Sequence, residues 1–129
     1  MDDHEGFRKQ VAEAAGIPED VAEDAIAATL ETLGERISAG EAEDLARHLP
    51  DSLAPFLTRP GGDAEPFDAN EFFRRIAERE ATDEQTAERH ARAVIAALAR
   101  REGRKELHDM LSQLPRDLRE RLLAPAAVS

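Results

Sequence analysis

The side chains with chemical reach in this chain are its four histidines, its many carboxylates and a short arginine-rich run near position 100. Asp44 and His48 lie one helical turn apart, a spacing that lets two side chains on one helix face hold a divalent metal ion. A complete site of that kind would need His90 and His108 to converge with them. The rest of the ligand grammar is missing: the sequence has no HExxH and no Glu-x-x-His, and without cysteine it offers neither a thiolate ligand nor a thiol nucleophile. His48 therefore reads as an exposed histidine at a helix end. His90, one turn before Val94, reads as a packed histidine at the edge of an apolar stripe. His4 and His108 have no partner that spacing suggests.

Paired carboxylates can do acid and base work only where a partly apolar pocket drives their pKa values apart. Glu19 with Glu23, Asp20 with Asp24 and Glu31 with Glu35 are instead spaced i to i+4 along one polar helix face, which predicts a solvated acidic surface. No GxSxG, GxGxxG or GxxxxGK[ST] occurs, and Gly61 with Gly62 belongs to a linker. With no Trp or Tyr and five Phe, stacking platforms for bases or sugars are scarce. The expectation is no catalytic residue, no metal and no cofactor.

Charge is unevenly placed. Residues 1–65 hold 16 acidic and 5 basic side chains while residues 66–129 hold 12 of each, so the net charge of −11 belongs to the first part of the chain. Such a balance argues against nonspecific binding to nucleic acid or anionic lipid. Like charges at i and i+4 each destabilise a helix by a few tenths of a kcal/mol at low salt. A chain that tolerates this repeatedly either uses the acidic face of Glu19, Glu23, Glu31 and Glu35 or comes from an acidic proteome. The opposite feature is Arg100, Arg101, Arg104 and Lys105. These cations complement the dipole at the end of a long helix, and their guanidinium forks also suit an oxyanion.

The elements that must position these groups follow from length and repetition. A chain of 129 residues suits one domain, and since 24 of its apolar residues are alanine, the core must be thin and close-packed. Self-similarity appears at a constant offset of 65, with 15 identities in the 51 aligned positions from Phe7 to Leu57. Phe7 meets Phe72, Leu33 meets Leu98, Leu49 and Pro50 meet Leu114 and Pro115, and Leu53 and Leu57 meet Leu118 and Leu122. The second copy has Asp109 and Gln113 where the first has Asp44 and His48, so a duplicated metal site is not preserved. Repeat one spans 5–58, a linker 59–67 carries two prolines and a Gly-Gly pair, repeat two spans 68–123, and a tail covers 124–129.

Ala22, Ile26, Thr29, Leu30, Leu33 and Ile37 recur at helical spacing, and Ala87, Ala91, Val94, Ile95 and Leu98 repeat the stripe. Pro18 opens a helix, Asp68 with Glu71 and Thr82 with Gln85 read as caps, and Gly16, Gly40 and Gly103 as left-handed helix ends. Each copy is thus expected to hold a helix of about ten residues, one of about twenty, and two short ones divided by Leu-Pro. The fold class is all-α: a helical bundle of two tandem repeats of about four helices sharing one core, because a half of about 55 residues is marginal alone.

These strings have a family likeness. Thr29–Gly40 (TLETLGERISAG), Glu41–Pro50 (EAEDLARHLP) and Phe72–Glu80 (FFRRIAERE) resemble the bacterial and archaeal family named domain of unknown function 2267, over about Phe7 to Leu123. The resemblance implies a duplicated, all-helical domain and carries no activity, cofactor or catalytic residue. One departure is that Arg101 to Lys105 replaces Arg36 to Gly40, so the copies need not share a task. The reading reached is a non-enzymatic protein-interaction or regulatory module with an unidentified protein partner, using the acidic face or the groove between copies, with a homodimer compatible. The alternatives are a small-ligand or metal-binding helical domain, and a phosphate or nucleic-acid contact through Arg100 to Lys105. No apolar run approaches the roughly 18 residues of a membrane span, and the acidic start Met1, Asp2, Asp3 is unlike a signal peptide. A soluble, cytoplasmic protein is the expectation.

Overall fold

In the computed structural model the described residues are 3–59, 63–101 and 104–124, with the side chain of Arg104 excluded. They form eight helices and no strand: α1 His4–Ala15, α2 Glu19–Arg36, α3 Ala39–Ala46, α4 Ala54–Thr58, α5 Ala69–Glu80, α6 Glu84–Ala99, α7 Arg104–Ser112 and α8 Arg116–Leu123. The all-α class is therefore correct. No helix among the described residues is long and apolar enough to cross a membrane.

Local chemistry explains the boundaries. Asp68 accepts the Glu71 N–H at 2.9 Å and caps α5, as its spacing predicts. For α6 the cap is Asp83, which accepts the Thr86 N–H at 2.7 Å, rather than the expected pair of Thr82 with Gln85. A carboxylate there accepts the orphan donor and also meets the positive end of the helix dipole. Pro18 is the cap residue of α2, in extended conformation just before the first turn. Gly40 does not end a helix; α2 stops at Ile37 in extended conformation, and Gly40 lies in the first turn of α3, which Ser38 caps by accepting the Glu41 N–H. Gly103 lies outside the described residues, as do residues 60–62 of the linker and 125–129 of the tail.

Helix α1 ends on Gly16 at φ 66, and α5 ends on Ala81 at φ 56, the one other positive φ among the described residues. The two positions are related by the same offset as the aligned residues. A left-handed conformation costs an L-residue with a Cβ about 1 to 2 kcal/mol, so Ala81→Gly should raise stability by roughly 0.5 to 1 kcal/mol once the extra flexibility of the unfolded chain is counted. A thermal melt should register this as a shift of a few degrees upward.

The two long helices α2 and α6 pack on each other, α1 lies on both of them, and α5 lies on both of them from its own side. Helix α4 backs α2, α8 backs α6, and α3 meets α7. These pairings map onto one another when each helix is exchanged for the one four places along. One apolar cluster runs through both halves, from Phe7 and Ile26 to Ile95, Met110 and Leu122. Alanines 22, 25, 28, 87, 91 and 93 are buried with the large side chains, and small residues on both long helices let their backbones approach. Phe67, at the end of the linker, is also buried, with its ring beneath the Arg75 guanidinium at 4.0 Å. The linker is tied down just before it, where the Glu65 N–H donates to the Glu35 carbonyl at 2.9 Å.

Candidate functional site

The acidic residues of α2 are a solvated face only in part: Glu19, Asp20 and Asp24 are exposed, while Glu23, Glu31 and Glu35 are half-buried. Toward its start, Glu19 and Glu23 each take an Arg8 nitrogen at 3.2 Å, and Glu23 also faces His4 at 2.8 Å. Toward its end, Glu35 takes Arg79 at 2.7 Å and Arg75 at 3.2 Å, with Glu31 3.8 Å from Arg79. Two of the three like-charged i, i+4 pairs, Glu19 with Glu23 and Glu31 with Glu35, are thus bridged by an arginine, from α1 and from α5 respectively. Arg79 also donates to the buried Thr32 hydroxyl at 2.6 Å, which in turn donates to the Ala28 carbonyl. Part of the negative charge of residues 1–65 is thus paired with Arg75 and Arg79 from beyond the linker. Glu13, Asp20 and Asp24 are exposed, and Glu19 is exposed even as it meets Arg8.

Bonds from Arg79 first, and from Arg75, hold the Glu35 carboxyl below its ordinary value against the opposing effect of its partial burial. Arg74 and Arg75 hold Glu71 at about 2, and Arg121, then Arg92, lower Glu88. Each of these groups binds fewer protons folded than unfolded, so each adds stability that is complete above the ordinary value of 4.5 and fades as pH falls toward the folded one. Thermal stability should accordingly drop between about pH 4.5 and 2. Melts of Glu35→Gln over that range should show a shallower slope than the native chain, since its share is already gone.

The basic run divides. Arg101 turns inward, donating to the His48 carbonyl at 2.9 Å and meeting Asp3 at 3.2 Å, with its guanidinium 5.8 Å from the Phe7 ring. Lys105 pairs with Asp109 at 3.2 Å, and the side chain of Arg104 lies outside the described residues. Arg100, which caps the end of α6, is exposed and has no ion-pair partner among the described residues. It borders an open cleft of about 390 Å³ shared with Asp3, Gln10, Arg47, His48, Leu49 and Arg101. The cleft lies where the start of α1, the end of α3 and the end of α6 come together, and Gln10 Oε1 is buried there without a hydrogen-bond partner.

The histidines do not converge. Asp44 engages Arg47 at 2.8 Å rather than His48, and His48 faces Glu106 at 3.4 Å. His108 is exposed. No group of three or more histidines and carboxylates able to hold a metal ion occurs among the described residues. His4 has the partners that spacing did not suggest, Ser52 at 2.7 Å and Glu23. His90 is packed, as expected, and its Nδ1–H donates to Glu80 Oε1 at 2.6 Å, with the two side chains 6 and 3 % exposed.

The bounds of α1 and α5 differ by the same constant offset as the aligned residues. A family model described as uncharacterized conserved protein (DUF2267) matches residues 4–121. The chain belongs to this family. No curated protein matches it. In this DUF2267 domain the cleft residues Asp3, Gln10, Arg47 and Leu49 were not singled out by sequence. The one pointer was the exchange of Glu35 for Arg100 between aligned positions, which reverses a charge at the end of the long helix.

Proposed function

We propose that this DUF2267 protein is a non-enzymatic interaction module, formed by duplication of one four-helix unit, that binds a protein partner at the cleft between α1, α3 and α6. The duplication is supported by the common offset of α1 and α5, by the matched left-handed ends at Gly16 and Ala81, and by helix pairings that interchange. The observation that carries the site is Arg100. Among the described residues it is the exposed guanidinium of the cleft that lacks a carboxylate, while Glu23, Glu31 and Glu35, three of the four acidic residues first expected to form the contact, are half-buried in ion pairs within the fold. The lining is polar and open, which suits a side chain of a partner better than an enclosed, largely apolar substrate pocket. A nucleic-acid backbone calls for a row of free cations, and here Arg101 and Lys105 already have partners.

A photo-crosslinking residue placed at position 47 in living cells should join the protein to one partner species. The same residue at position 78, on the α5 surface, should not. Equal capture from both positions would remove the cleft as the contact surface.

A further inference from the structure

We infer that the group the cleft binds is a carboxylate presented by an acidic side chain of the partner, an inference that rests on the cleft being the contact surface. The charge balance of the site carries it. Arg47 is held by Asp44 and Arg101 by Asp3, while His48 faces Glu106. Among the described residues one positive charge of the cleft, that of Arg100, is left without a carboxylate. A single carboxylate matches it, whereas a phosphate monoester would bring nearly two negative charges into a site whose other guanidiniums already sit 2.8 and 3.2 Å from carboxylates.

The related half of the molecule shows what the same positions do when they are closed. Under the constant offset, Glu35 is the counterpart of Arg100, and Arg75 is the counterpart of Gln10. Arg75 and Glu35 bond to each other at 3.2 Å across α5 and α2. At the corresponding positions, Gln10 of α1 and Arg100 at the end of α6, the charge at the helix end is reversed and the residue lining the same cleft is a neutral amide in place of a counter-ion. The cleft is an ion-pair position from which the carboxylate has been omitted. A ligand that supplies it completes the pair; Leu49, which is almost wholly buried, also lines the cleft.

The comparison also provides a blocking variant. Gln10→Glu puts a carboxylate into the cleft that Arg100 also lines, at the positions where Arg75 and Glu35 pair with the signs exchanged. It should close the site from within while keeping the fold.

The test is a nuclear magnetic resonance titration of nitrogen-labelled protein at fixed ionic strength with three probes: an end-blocked hexaglutamate peptide, glutarate and inorganic phosphate. The peptide should shift the side-chain signals of Arg100 and Gln10 and the Leu49 amide, and glutarate should shift the same signals more weakly. Arg100→Gln should weaken peptide binding roughly tenfold, the worth of one charge-assisted contact. Gln10→Glu should abolish the response, with the backbone amide spectrum checking that the fold is retained. Glutarate acting as strongly as the peptide would support the carboxylate and make a free small acid its source. Phosphate shifting these signals while both carboxylate probes leave them alone would overturn the inference and leave the cleft standing. Peptide binding that survives in both variants would place the contact elsewhere and overturn the cleft itself. Silence from every probe overturns the carboxylate inference, and the crosslinking result then decides the cleft independently.

Discussion

His90→Ala is expected to destabilise the protein by about 3 to 5 kcal/mol, the cost of stranding one member of a buried ionisable pair. Glu80 ends α5 and His90 lies in the middle of α6, on either side of the turn that joins them. Their bond of 2.6 Å joins side chains almost wholly removed from water, and Glu80 Oε2 is already buried without a partner. Taking away the imidazole would leave both carboxylate oxygens unsatisfied in a poorly solvating site. The first half shows that the fold does not need the pair: the corresponding positions are Ala15 and Ala25, and the α1–α2 junction forms without it. Replacing both residues with leucine should therefore restore most of the loss, to within about 1 kcal/mol of the native chain or above it. Urea unfolding of the two single variants and the double one measures the coupling directly. A loss below about 1 kcal/mol for His90→Ala would mean that Glu80 finds another donor or reaches water.

Residue spacing made much of this molecule legible, and the reason is locality. Helix lengths, the Asp68 cap and the left-handed Gly16 depend on neighbours within a turn, so period and cap chemistry were enough to place them. Where two local signals competed, as at Thr82 and Asp83, the carboxylate prevailed as the better acceptor. Gly40 misled because a glycine after an apolar stripe also fits the first turn of the next helix, once Ser38 supplies its cap. The partners of the α2 carboxylates could not be read in this way, since Arg75 and Arg79 lie 40 to 48 positions along the chain. Only the packing of α5 on α2 brings them together. The cleft was hidden for the same reason, being assembled from three helices. What the sequence did hold was the offset of 65, and its mismatches were more informative than its matches: Ala15 against Glu80, Ala25 against His90, Glu35 against Arg100. The first two mark positions where a polar or charged group stands against an alanine, and the third a position where the charge is reversed.

Phe7→Ala and Phe72→Ala should each cost about 3 to 5 kcal/mol, and both should act on a single unfolding transition. The two rings occupy corresponding positions of α1 and α5 and are both fully buried. Phe72 packs against Phe67 at 6.3 Å and edge-on against Phe73 at 5.4 Å. Their helices do not stay within their own halves, because α1 lies on α6 as well as α2, and α5 lies on α2 as well as α6. Removing either ring therefore opens a cavity against both long helices. A domain of this size has a total stability of roughly 5 to 15 kcal/mol, so either loss is a large share of the whole. Hydrogen exchange followed residue by residue separates the two ways the chain could respond. With one core, Phe7→Ala should lower protection in α6 as strongly as in α2, and Phe72→Ala should do the reverse with equal reach. If Phe7→Ala instead left α5, α6 and α8 at native protection, the halves would be folding independently, and the interleaving of α1 and α5 would be a contact between two finished units rather than the means by which each is completed.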